Sequence, residues 1–222
     1  GISIIGLLLS IFFVNDTRVF VNQEEQKNTT KKLDNVFIET SFKNKNLSAI
    51  TQAGMVNNLN DGMMWGLLPI FLFNLAFDTK SIGIIAAVYP AVWGIGQLFT
   101  GKMSDVYSKK KMLFWGMLLQ GLAIIFISII SNFNGLIIIA SILGLGTALV
   151  YPTFLAAIAA STTPTQRAEC IGVFRLWRDL GYAIGAILSG VIADVWGIEY
   201  AILSIGLITI FSSLIIKFRM TN

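Results

Sequence analysis

The chain has 222 residues, of which 55% are hydrophobic and 13% charged, against about 25% charged in an ordinary soluble domain. No fold of this size hides so much apolar surface from water, and a disordered chain is excluded for the same reason. One cysteine and no histidine remove an internal disulfide, His-ligated zinc and Ser-His-Asp chemistry, while a net charge of +4 raises nucleic-acid binding until the placing of the basic residues is known.

Residues 1–14 are almost wholly apolar from Ile2 to Val14 and turn polar at Asn15-Asp16-Thr17-Arg18. No basic segment precedes the run and no small-residue cleavage site follows it, so it does not read as a signal peptide. It is shorter than the roughly 20 helical residues that cross a bilayer. It reads as the end of a truncated transmembrane helix that starts upstream, which predicts a fragment of a longer protein. Residues 15–46 are rich in Asn, Lys, Thr and Glu and predict a cytoplasmic linker. Within it Leu33, Val36 and Phe37 recur at helical spacing, as on a membrane interface.

Residues 47–217 predict a bundle of six transmembrane helices, and residues 218–222 a cytoplasmic tail. The spans are Leu47–Ala76, Ile82–Gly101, Met112–Ile130, Gly135–Ala160, Ala168–Ala193 and Ile198–Ile216. Each is long enough to cross as a helix, which satisfies its own backbone in lipid. The short loops make consecutive helices antiparallel neighbours. Of the 16 basic residues, 15 fall on one side in this arrangement and only Lys80 on the other. By the positive-inside rule the linker and C-terminus are cytoplasmic. The asymmetry also explains the basic charge without nucleic acid. The Lys109-Lys110-Lys111 run lacks interleaved aromatics and sits at a membrane surface.

Pro69, Pro90 and Pro152 lie inside spans one, two and four. A proline frees a carbonyl, which is tolerated where neighbours or a wet cavity satisfy it. Spans one, two, four and five therefore predict buried or cavity-lining helices, and spans three and six lipid-facing ones. Pro69-Ile-Phe71-Leu72 is echoed by Pro152-Thr-Phe154-Leu155, a hint of the three-plus-three repeat found in transporter halves. Gly94, Gly96, Gly101, Gly144, Gly146, Gly181, Gly185 and Ser189 supply small residues for close helix packing.

At the end of span two stands Gly101-Lys102-Met103-Ser104-Asp105-Val106-Tyr107-Ser108-Lys109-Lys110. It resembles the signature of the major facilitator superfamily, with Gly101, Asp105, Lys109 and Lys110 matching. Val106 replaces the usual basic residue and Ser108 the usual glycine, as in the degenerate copy between helices eight and nine of that family. Gly144-Leu-Gly146 with Pro152, and the Arg167 to Gly172 opening of span five, extend the resemblance over nearly the whole chain. It implies the end of helix six, the linker and helices seven to twelve of a twelve-helix transporter. It also implies that Asp105 clasps the other half in one state of alternating access. Read from the residues alone, a helix-ending carboxylate favours the amides of an adjacent helix start. Gly101 permits close approach, and Lys109 and Lys110 anchor at headgroups.

Asn57, Asn60 and Asp61 fall on one face of span one at spacings of three and four. A charge at that depth costs on the order of 2.5–3.5 kcal/mol, so Asp61 must be paired, neutral or facing water. Arg175, Arg178 and Tyr182 share a face of span five, and Arg178 is deep enough to meet Asp61. These six residues are the candidate substrate or proton site. A structural salt bridge between Asp61 and Arg178 stands beside that reading. No catalytic residue, metal or cofactor is expected. The leading expectation is a secondary transporter of a small solute, the C-terminal half of a protein whose N-terminal six-helix half is its partner in the lipid bilayer of the cell membrane. The alternatives are a non-transporting subunit or sensor of the same fold, and a membrane-embedded enzyme.

Overall fold

The computed structural model describes residues 21, 23–25 and 30–221. The predicted helix over residues 1–14 and the linker's Arg18 and Lys27 lie outside the described residues. The long helices are α1 (Lys45–Asn74), α2 (Thr79–Val106), α3 (Lys109–Ile127), α4 (Phe133–Ser161), α5 (Arg167–Trp196) and α6 (Ile198–Arg219). Four of them begin at a side-chain cap. Asn44, Asp78, Ser108 and Asn132 cap α1 to α4, their side chains accepting from backbone amides of the first turn. Gly197, with φ of 104°, makes the turn from α5 to α6, a backbone conformation that suits glycine. Pro69, Pro90 and Pro152 sit inside continuous helices.

Among the described residues five helices, α2 to α6, are long and apolar enough to cross a membrane. The protein is an all-α integral membrane protein. α1 carries Asn57, Asn58, Asn60 and Asp61 in its middle, which lowers its apolarity. It packs along α5 and α6 in the same bundle, and its 30 residues reach about 45 Å at helical rise.

The packing repeats after three helices. α1 lies against α5 and α6, and α4 correspondingly against α2 and α3, while α3 and α6 pack on each other. Small residues sit at each seam. A Cβ on Gly181 or Gly185 would overlap the backbone of Met55 or Leu59, and one on Gly144 would lie 2.7 Å from the Tyr89 carbonyl. Gly121 and Gly206 face each other, each with the other's carbonyl 3.0 Å from its Cβ position. The expected packing role holds for Gly96, Gly144, Gly146, Gly181 and Gly185. It fails for Gly94 and Gly101, which have nothing within 4 Å on that side.

Two apolar clusters divide the interior. One, with Met63, Leu72, Ile124, Leu136 and Ile202, fills the end holding the α1–α2 turn. The other, with Leu47, Leu113, Phe154, Phe174 and Ile216, fills the end holding the linker. Between them runs a layer of buried polar side chains: Asn57, Asn60, Asp61, Gln120, Thr147 and Thr209.

The four helices expected to be buried or cavity-lining include the two that this chain covers least. Within this chain α2 and α5 are the least covered, with 11% and 17% of their apolar windows buried, against 44–50% for α3, α4 and α6. They flank one side of the bundle and have helices behind them only. The linker is also more ordered than its composition predicts. Val36–Ile38 and a π-helical turn at Glu39–Lys43 fold against α1 and α5. Val36 is buried and Leu33 packs beside it, while Phe37 is exposed. Gln166 bonds both the amide and the carbonyl of Leu33 at 2.9 Å, and Trp177 donates to Ser41 at 2.9 Å.

Candidate functional site

Asp61 stands in the middle of α1, within the polar layer. Tyr89 of α2 donates to its Oδ1 at 2.5 Å, and the same phenol lies 3.4 Å from Thr147 Oγ1 on α4. From Tyr89 a row of aromatic rings runs one helical turn toward the linker end. Tyr89 stacks on Trp93 with centroids 6.2 Å apart, and Trp93 meets Tyr151 at 5.2 Å. The row ends at Arg178 of α5. Its guanidinium lies 5.8 Å from the Tyr151 ring and donates to the Tyr151 hydroxyl at 3.3 Å. Asp179 accepts from Nε and Nη2 of the same guanidinium at 2.9 and 2.8 Å.

The structure thus gives Asp61 and Arg178 separate partners. The two form no ion pair. The expected structural salt bridge is replaced by a carboxylate on a phenol and a guanidinium on its own sequence neighbour. Asp179 lies beside Arg178 and compensates it with no second helix involved.

The expected shared face on α1 also splits. Asn60 is one residue from Asp61, about 100° round the helix, and turns toward α3 and α6. It accepts from Thr209 at 2.6 Å and donates to Gln120 at 3.2 Å. That network ties three helices together inside the bundle. Asn57 is buried, donates to Asn58 at 3.4 Å and leaves its Oδ1 without a hydrogen-bond partner. Trp93 Nε1 is likewise buried without an acceptor. A carboxamide oxygen and an indole N–H left unpaired are the groups that a polar solute or water would satisfy. Trp65, Tyr182 and Asp179 are exposed on the same side of the bundle, and Arg175 is exposed on α5. The site is an open face between α1, α2, α4 and α5, not a closed chamber.

The signature residues occupy the turn from α2 to α3. Asp105 lies in the last turn of α2, exposed, and makes no hydrogen bond or ion pair among the described residues. The start of α3 is capped by Ser108 instead. Gly101 has open space where a close approach was expected; its carbonyl accepts from Ser104 at 2.7 Å. Lys109 and Lys110 begin α3, half-buried.

Residues 50–221 match the family model of the Major Facilitator Superfamily. The chain belongs to the Major Facilitator Superfamily. It is 26% identical over 171 residues to an uncharacterized MFS-type transporter of Methanocaldococcus jannaschii, covering 77% of this chain and 44% of the relative. It is 29% identical over 159 residues to the hexuronate transporter of Bacillus subtilis, covering 70% and 38%. It is 24% identical over 137 residues to the quinolone resistance protein NorA of Staphylococcus aureus, covering 62% and 35%. The chain spans less than half the length of these curated relatives. They are named for transport or resistance, and this superfamily member is not an enzyme.

Sequence reasoning passed over Tyr89, Trp93, Thr147 and Tyr151. Tyr89 and Trp93 flank Pro90 at a spacing of four, and Thr147 and Tyr151 repeat that spacing before Pro152. Polar-tipped aromatics beside an intramembrane proline are the signal that would have found them.

Proposed function

We propose that this chain is the C-terminal half of a secondary transporter that moves a small solute by alternating access. In this reading α1 crosses the membrane with the other five helices. The linker and C-terminus are cytoplasmic, and the protein sits in the cell membrane. An N-terminal six-helix half covers the α2 and α5 side. The observation that carries the proposal is the open face itself. It collects a mid-membrane carboxylate, a ring row and a compensated arginine from four helices, and its flanking helices are the least covered in the chain. Intramembrane ionisable groups are kept where they bind solute, pass protons or pair.

Asp61, with Tyr89, is the candidate proton or cation group, because no basic side chain pairs with it. Asn57, Trp93, Tyr151, Arg178 and Tyr182 line the solute side. Asn60 and Arg175 stay in the candidate set, Asn60 as the support of the polar layer and Arg175 at the exposed edge. Gly101, Asp105, Lys109 and Lys110 form the switch that holds the other half in one state. With Arg178 held by Asp179, the case for an anionic solute from paired arginines weakens.

Flux in proteoliposomes of the full-length protein tests this. The named relatives suggest the probes: a hexuronate and a quinolone, each with an imposed proton gradient and a lumenal pH dye. Uptake of either above empty vesicles, or solute-dependent proton movement, supports the transporter. Silence with both, in vesicles where a known transporter works, favours a non-transporting subunit.

A further inference from the structure

We propose that the end of the bundle where α2 turns into α3 binds one anionic phospholipid. Its phosphate sits in a basic cavity and its acyl chains lie in an adjoining apolar groove. The cavity is about 470 Å³, inside the ~300–1,000 Å³ of small-molecule sites. Lys109, Lys110, Lys111, Asn46, Tyr107 and Ser161 supply its polar wall. No carboxylate side chain lines it, and among the described residues none of the three lysines makes an ion pair. Asn46 already accepts from the Thr221 amide and hydroxyl at 2.8 and 3.0 Å, so its remaining groups are N–H donors.

The groove decides between a lipid and a free phosphate. It is about 370 Å³ and shares Tyr107, Ser108 and Lys111 with the basic cavity. Its other walls are apolar, among them Met103, Val106 and Trp115, and Val106 and Trp115 are 75% and 59% exposed. A soluble phosphate would use the first cavity alone. A phospholipid uses both, with Trp115 at the level where interfacial tryptophans lie. Basic pockets between membrane helices are receptors for anionic headgroups. Asp105, Glu39 and Asp34 line neither cavity.

Native mass spectrometry of the purified full-length protein, with phosphatidylglycerol or phosphatidylcholine added, tests the site. The protein is expected to bind one phosphatidylglycerol in preference to phosphatidylcholine. Changing all three lysines, Lys109→Gln, Lys110→Gln and Lys111→Gln, should weaken phosphatidylglycerol binding by roughly 100-fold, and each single change by about fivefold. The single variants keep the test decisive if the triple variant does not fold. Trp115→Ala should weaken the lipid and leave inorganic phosphate binding unchanged. Wild-type affinity in the triple variant overturns the proposal. So does an equal loss in a Lys31→Gln, Lys32→Gln control. Inorganic phosphate that displaces the lipid at equal concentration overturns the lipid assignment in favour of a soluble anion. None of these readouts depends on solute transport.

Discussion

Asp61 and Arg178 show how a partner one residue away changes an energetic argument. Had the two been paired across helices, neutralising one would have orphaned the other, at roughly 3–5 kcal/mol. With Asp179 on the guanidinium and Tyr89 on the carboxylate, Asp61→Asn leaves no buried cation alone. The variant is expected to express and melt close to wild type, and Arg178→Gln added to it should give no rescue in a double-mutant cycle. Tyr89→Phe removes one donor to Asp61 and should cost roughly 0.5–3 kcal/mol, the range from a neutral to a charge-assisted hydrogen bond. Thermal melts in detergent check all three. Transport tests the proposed role. Asp61→Asn should abolish gradient-driven accumulation and leave downhill exchange, since exchange need not release the proton. Normal accumulation would take Asp61 out of the site.

At the scale of the helices, backbone contact sets tolerance. Gly185 of α5 meets the Leu59 backbone on α1, and a carbonyl oxygen cannot move aside as a side-chain tip can. Gly185→Leu is therefore expected to part α1 from α5, costing at least the 1–3 kcal/mol typical of overpacking. Gly94→Ala is the contrast. The space beside it is open in this chain, and alanine in a helix interior gains about 0.5–1 kcal/mol over glycine. The two melting shifts should have opposite signs. If Gly94→Ala instead lowers the melting point of the full-length protein, its face is covered by something outside this chain.

The whole molecule sets orientation and switching. A cysteine at Lys110 should be labelled only from the cytoplasm, and one at Thr79 only from outside. The native Cys170 is buried and adds little background. Reversed labelling would overturn the charge asymmetry as a guide to topology. Asp105→Asn should lower transport and leave expression largely intact. Asp105 supports no contact among the described residues, so its loss does not touch the packing of this bundle. A carboxylate set against the start of a helix in the other half would be worth about 0.3–1 kcal/mol, enough to tilt a balance between two conformations. Unchanged flux would reduce Asp105 to a topological marker.

Composition alone settles that this chain belongs in a membrane, because 55% hydrophobic residues have no other place to go. The helix positions were legible too. Caps, prolines and apolar runs are local signals, and the observed ends lie within a few residues of those expected. The signature turn was readable as a motif. Partnership was not. Whether Asp61 meets Arg178 or Tyr89 depends on how α1 is rotated against α2 and α5, and against α5 that rotation is set by backbone contacts at Gly181 and Gly185. The sequence places Asn57, Asn60 and Asp61 on one broad face, yet about 100° of helix rotation separates adjacent residues. It took the bundle to send Asn60 to Gln120 and Thr209 and Asp61 to Tyr89. Side-chain chemistry is written in the residue. The neighbour that uses it is decided only when six helices pack.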